Sequence, residues 1–347
     1  MSNIIKANHE FLVYRGRYDD SDIEAPVFGF PYSGILVTFE GSEITVMLKN
    51  KHVSHKNYLG VIVDGKVQKY LLEEGADEQI IKLVEGLEEI KHEVFVYKCS
   101  DLSNQITILG FDLGERGKLV MPRKQKRKLI EFYGDSVTAG QYVEAKSEQF
   151  PFMSEEEKDA YTNPYYSYAA IVGRLLHARV NLIAQSKVAF ADGQGGCNVG
   201  METLFDKASF DIETKTGSEW NFKKEEPTIV IVSLGQYDGI PDDFMKEDMN
   251  GEQAEEWKGK LRAFITKLRK LYPKTLIVLT TSILRHSPKW DRAIGQVCTQ
   301  FNENNVIHFL YNENARGAHP FVNIAQFEKM ALELNAFLLG LENTLWS

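Results

Sequence analysis

The residues best suited to chemistry lie in Gly134-Asp135-Ser136-Val137-Thr138-Ala139-Gly140, directly after the apolar run Leu129 to Tyr133. A buried strand that stops at a glycine and continues into small or hydroxylated residues lifts one side chain above the end of a sheet. Here that side chain is Ser136. In open α/β sheets, ligands collect at the carboxyl ends of strands, so a serine there is well placed for nucleophilic attack. The alternative is a serine that merely caps the helix after a strand. A serine hydroxyl is hardly ionised near neutral pH, so the nucleophile reading requires a base.

Eight histidines are available. His9, His52, His55 and His92 fall in the first third of the chain, His177 ends a helical segment, and His308 reads as a core group inside a strand. His319, in Asn314-Ala315-Arg316-Gly317-Ala318-His319-Pro320, follows the last strand pattern and directly precedes the last helical one. This puts it on the same sheet edge as Ser136 and makes it the candidate base, with His286 in reserve. Two further strand ends reach that edge. Ser233-Leu234-Gly235-Gln236-Tyr237-Asp238-Gly239 offers glycines and donors for a developing oxyanion, the alternative being a plain turn. Gln185-Ser186-Lys187-Val188-Ala189 precedes a glycine-rich stretch that has no phosphate-loop Lys-Ser/Thr ending.

Two patterns position these groups. Up to about residue 122 the chain reads as short strands with turn signals: Ile44, Val46 and Leu48 alternate with polar residues, and Tyr58–Val63 faces Val67–Leu72 across Asp64-Gly65, a hairpin signal. This predicts a β-sandwich, of jelly-roll type. After the basic run Arg123-Lys124-Gln125-Lys126-Arg127-Lys128, read as a solvated linker, residues 128–347 alternate apolar strands with helical segments. That pattern predicts an α/β domain with a doubly wound parallel sheet. The polar stretch Phe210–Glu226 reads as a surface excursion.

Composition narrows the function. The 347 residues are 43% hydrophobic and 26% charged with a net charge of −9, which disfavours a nucleic-acid surface. No stretch approaches about 18 apolar residues, so no membrane span is expected. Three widely spaced cysteines form neither a disulfide framework nor a zinc spacing. Residues 1–30 lack a signal-peptide pattern. The expectation is a cytoplasmic protein, or a secreted one should a leader precede this sequence. No metal and no cofactor is expected.

Four strand ends converging on one edge in this order resemble the SGNH (GDSL-type) hydrolases. Gly134-Asp135-Ser136 is similar to the family's first block, Ser186–Ala189 falls at the second, Gly235–Asp238 at the third, and His319 at the last. In the N-terminal part, Tyr14-Arg15-Gly16-Arg17-Tyr18, Gly34–Gly41, Val61–Gly65 and Gly110-Phe111 resemble the jelly-roll domain of carbohydrate esterase family 2. There a jelly roll precedes an SGNH domain, and the enzymes remove acetyl groups from plant polysaccharides. The resemblance implies Ser136 and His319 as a catalytic dyad. It also implies Ala189, Gly235, Tyr237 and Asp238 around the oxyanion and substrate, and a small-molecule or oligosaccharide acetyl ester as substrate. The pattern is departed from at three places: Ala189 stands for a glycine, Tyr237 for the asparagine donor, and Arg316 for the acid three residues before His319. A guanidinium accepts no hydrogen bond, so a dyad is implied rather than a triad. The same departures motivate an alternative, a catalytically weakened carbohydrate-binding protein. A further alternative is a short-chain acyl esterase acting on a small intracellular glycoside.

Overall fold

A computed structural model describes residues 3–52, 56–75, 77–125, 128–146, 148–235, 237–281, 283–284, 287–301, 305–312 and 321–341. The chain divides into two units that are not linear in sequence. The first comprises Met1–Gln125, Met153–Thr162 and Lys207–Trp220; the second comprises Lys126–Phe152, Asn163–Asp206 and Asn221–Ser347.

The first unit is a jelly-roll-type β-sandwich. One antiparallel sheet runs Ile4–Lys6, Asn104–Asp112, Ile44–His52, Glu78–Val84, with Val27–Phe28 added on Asn104–Asp112. The other runs Lys118–Leu119, Gly34–Glu40, Lys91–Lys98, Tyr58–Val63, Lys66–Leu71, with Val13–Arg15 added on Gly34–Glu40. Side chains alternate across each strand, so every second residue enters the core. Ile44, Val46, Leu48, Ile106 and Ile108 from one sheet meet Val37, Val61, Val94 and Val96 from the other.

The hairpin expected at Asp64-Gly65 joins Val63 to Lys66, with φ of 47° and 87° at the two turn residues. Both positive values are what a two-residue turn between right-twisted strands requires. The Asp64 carboxylate then accepts the Glu93 N–H at 2.9 Å and faces His92 Nδ1 at 2.6 Å, while His92 Nε2 faces the Glu88 carbonyl at 2.8 Å. Burial works against the imidazolium, but the Glu88 carbonyl and the Asp64 carboxylate outweigh it and raise the His92 pKa. Folded His92 therefore holds its proton to a higher pH than the unfolded chain does. Its stabilisation is complete below pH about 6.5 and is lost as pH rises through the folded value. His92→Gln is expected to cost about 1 kcal/mol at pH 6 and less at pH 9. Thermal unfolding at the two pH values checks this; a cost that does not shrink with pH would remove the ion pair from the account.

Residues 210–226, expected as a surface excursion, depart from that reading. Lys207–Asp211 and Thr216–Glu219 pair as a hairpin within the first unit. Phe210 and Trp220 are buried. The Arg17 guanidinium lies 5.5 Å from the Trp220 ring centroid, Arg17 Nη1 donates to the Lys207 carbonyl at 3.2 Å, and Lys51 pairs with Asp211. Two aromatic residues in a polar stretch can each be buried when a partner lies far away in sequence, and local pattern carries no record of such a partner.

The second unit is built on a five-stranded parallel sheet in the order Arg179–Ala184, Leu129–Gly134, Ile229–Ser233, Leu276–Thr280, Val306–His308. Four of the five strands are buried along almost their whole length, as expected for a sheet covered on both faces. Helix Glu252–Leu271 turns Trp257, Leu261, Phe264, Ile265 and Leu268 inward, matching their spacing. Glu131, inside the first parallel strand, is buried as well. Its carboxylate accepts Tyr133 Oη at 2.5 Å, Tyr272 Oη at 3.3 Å and Asn181 Nδ2 at 3.4 Å, which offsets the loss of water. Numbered along the chain, the strand order is 2-1-3-4-5. Strand order reverses between the first and third strands, so a crevice opens at their carboxyl ends.

Candidate active site

Ser136 sits at that crevice. The first strand ends at Gly134 because the next turn folds tightly over it: a Cβ at residue 134 would lie 2.0 Å from Thr138 Oγ1. Asp135 Oδ1 accepts the Val137 N–H at 2.9 Å, and the Asp135 and Ser136 carbonyls accept the N–H groups of Ala139 and Gln141 at 2.9 and 3.0 Å. Thr138 Oγ1 is 3.0 Å from the buried Tyr168 hydroxyl, which ties the turn to helix Tyr168–Leu175. These bonds hold the serine by its backbone and leave its hydroxyl to the crevice.

Tyr237 arrives from the end of the third strand, and its hydroxyl lies 2.9 Å from Ser136 Oγ. Ser136 and Tyr237 are 4% and 6% exposed and share the wall of a cavity of about 170 Å³. Among the described residues the rest of that wall is mostly apolar, including Val137, Tyr142, Ile240, Phe321 and Val322. Phe150, which does not line the cavity, backs it by packing on Phe321 and Tyr142 at centroid distances of 4.4 and 5.2 Å.

Asp238 is fully buried, and its carboxylate faces inward rather than lining the cavity. Oδ2 accepts the Phe190 N–H at 2.8 Å; Oδ1 accepts the Ala191 N–H at 3.1 Å and Trp257 Nε1 at 2.8 Å. Burial pushes its pKa up to about 6 against the pull of these three donors. Asp238 thus fastens the loop after the second strand to the end of the third strand and to helix Glu252–Leu271. Asp238→Ala leaves three buried N–H donors without an acceptor and is expected to destabilise the protein by about 3 kcal/mol. Asp238→Asn, which keeps one acceptor oxygen, should cost less. Thermal unfolding of both variants is the check, and near-equal midpoints for Asp238→Ala and the parent would contradict this anchoring role.

Of the residues singled out from sequence, Ser136 and Tyr237 are brought together on one wall. Ala189, Gly235 and Asp238 are buried near it and do not line the described cavity. Gly235, with φ of +122°, lets the chain leave the third strand past the Trp290 indole, which a Cβ there would approach to 3.4 Å. His319, its neighbour Arg316, the reserve base His286, and Gln236 lie outside the described residues. Sequence reasoning gave no role to Lys187, Gln141, Tyr142, Phe321 or Val322, all on the cavity wall. Phe321 and Val322 directly follow the His319-Pro320 motif, which was the available signal for them.

A jelly-roll sandwich joined to a 2-1-3-4-5 parallel sheet, with a serine raised at the point where strand order reverses, is the fold that the resemblance to the SGNH (GDSL-type) hydrolases implies. Comparison with known proteins narrows the class. Residues 14–122 match the family described as Carbohydrate esterase 2 N-terminal. Cellulase/esterase CelE of Acetivibrio thermocellus is 32% identical over 229 residues, covering 65% of this chain and 26% of CelE. The chain thus matches about a quarter of the length of that relative. A family two carbohydrate esterase from Clostridium thermocellum, solved in complex with cellohexaose, superposes with a TM-score of 0.80 at 26% identity, covering 96% of this chain and 100% of that one. An acetyl xylan esterase from the rumen bacterium Butyrivibrio proteoclasticus shares the fold with a TM-score of 0.82 at 16% identity, covering 99% of both chains. The chain has the fold of the family two carbohydrate esterases and resembles them along nearly its whole length.

Proposed function

We propose that this chain is a carbohydrate esterase that removes acetyl groups from a sugar or glycoside, with Ser136 as nucleophile. The observation that carries the reading is the Ser136 hydroxyl on the wall of a small, largely apolar cavity, 2.9 Å from the Tyr237 hydroxyl at the carboxyl edge of the sheet. A cavity of about 170 Å³ whose described wall is mostly apolar suits a short acyl group. The carbohydrate part of the reading is supported by the likeness to a family two esterase solved with cellohexaose.

In this mechanism Ser136 Oγ attacks the ester carbonyl carbon while its proton passes to His319. The carbonyl π electrons move onto oxygen, where the Ser136 N–H and the Tyr237 hydroxyl donate to the oxyanion. Collapse re-forms the carbonyl and breaks the bond to the sugar oxygen, which takes the proton from His319. Water, deprotonated by His319, then attacks the acyl-serine, and the second collapse releases acetate and restores the Ser136 hydroxyl. His319 is assigned from sequence; Phe321, two positions later, lines the cavity with Ser136. The test is acetate release from acetylated oligosaccharides by the purified protein, together with its loss in Ser136→Ala. Sugar binding by calorimetry without acetate release would point instead to a binding protein on the same scaffold.

A further inference from the structure

Lys187 follows the second parallel strand, and its exposed side chain lines the cavity that holds Ser136 and Tyr237. Its φ is +59°. In that region the Cβ crowds the backbone, and glycine or asparagine is the usual occupant. Lysine therefore stands here against its conformational preference. Gly196 lies beneath the lysine stem: a Cβ at 196 would come within 2.9, 3.0 and 3.4 Å of Lys187 Cβ, Cδ and Cγ. The Gly196 N–H donates to the Lys187 carbonyl at 3.0 Å, and Gly195 donates to the Ile240 carbonyl at 3.1 Å. The stem is thus laid along a glycine and directed to the cavity wall. Among the described lining residues Lys187 carries the only charge, and it makes no ion pair with a described carboxylate. A cation beside an apolar wall attracts an anion more strongly than one in bulk water does. The net charge of −9 would otherwise repel such a ligand.

We infer that Lys187 is a specificity residue for a carboxylate on the substrate, so that the preferred ester is anionic rather than a neutral acetylated sugar. This rests on the reading of Ser136 as nucleophile and adds the substrate's charge to it. The carboxylate belongs either to the alcohol part, as in an acetylated uronic acid, or to the acyl part, as in a hemisuccinate. Two matched pairs separate these sources. Acetylated methyl glucuronide is compared with acetylated methyl glucoside, and 4-nitrophenyl hydrogen succinate with 4-nitrophenyl acetate.

The parent protein is expected to favour the anionic member of one pair by about tenfold in kcat/KM at low salt, and by less at high salt. In Lys187→Met that ratio should fall to about one, and Lys187→Arg should restore it. Lys187→Gly, which relaxes the backbone, should melt no lower than the parent while also losing the ratio. Equal rates in both pairs for the parent, or a ratio that survives in Lys187→Met, would overturn the inference and leave the esterase reading standing. If no ester is turned over, the esterase reading fails, and calorimetry with glucuronate and succinate decides for Lys187. Binding to the parent that Lys187→Met lacks supports the carboxylate site; no binding to either protein sinks it.

Discussion

Replacing Ser136 with alanine is expected to lower ester hydrolysis by about 10⁴- to 10⁶-fold, with thermal stability changed by roughly 1 kcal/mol or less. The size follows from what a nucleophile supplies. Without Oγ no acyl-enzyme forms, and only donors and binding remain to assist attack by water. The small stability effect follows from how Ser136 is held. Its turn is fixed by the Asp135 side chain, by the Asp135 and Ser136 carbonyls, and by Thr138 against Tyr168, none of which involves Oγ. The measurement is turnover of 4-nitrophenyl acetate by the parent and Ser136→Ala, alongside their unfolding midpoints. A variant that keeps the parent rate would move the nucleophile elsewhere. A variant that loses activity and several kcal/mol of stability together would say nothing of nucleophilicity, and trapping the parent with a phosphonate ester at Ser136 would then decide.

What could be read from the chain in advance was the part written in local pattern. The apolar runs Leu129–Tyr133 and Thr228–Leu234 became neighbouring strands of the parallel sheet, and Asp64-Gly65 became the turn its residue types require. Strand ends are also local, so the convergence of Ser136 and Tyr237 on one edge was accessible once parallel alternation was recognised. Asp238 shows where that reasoning stops. A carboxylate at a strand end suggests contact with substrate, yet its partners are the N–H groups of Phe190 and Ala191 and the Trp257 indole, which only tertiary packing brings together. Lys187 shows a second limit. Its left-handed backbone directly precedes the bridge between Val188 and Gly195, a long-range feature that nothing in the residue type announces. The segment around Trp220 is a third, since its partners Arg17 and Tyr18 lie about 200 positions earlier.

The second large effect is expected at Tyr237, and its sign separates two roles for one hydroxyl. As an oxyanion donor, the phenol must turn from Ser136 Oγ toward the carbonyl oxygen as charge develops there. Removing one such donor typically costs about 10²- to 10³-fold, or about 2.7–4 kcal/mol of barrier. The loss should fall on kcat with KM nearly unchanged, because the interaction strengthens only in the transition state. Tyr237→Phe keeps the ring, which is 6% exposed, and removes only the hydroxyl, so packing is preserved. The opposite role is that of a plug. A hydroxyl 2.9 Å from Ser136 Oγ would then hold the nucleophile in an unreactive bond and fill the space meant for substrate. On that account Tyr237→Phe raises kcat/KM, and Tyr237→Asn, which places a side-chain amide donor at this position, raises it further. We expect the loss rather than the gain, because the same cavity wall keeps open volume beside the pair. Steady-state kinetics on 4-nitrophenyl acetate for the three proteins settles the sign, and a tenfold or greater increase in Tyr237→Phe would remove the tyrosine from the oxyanion site.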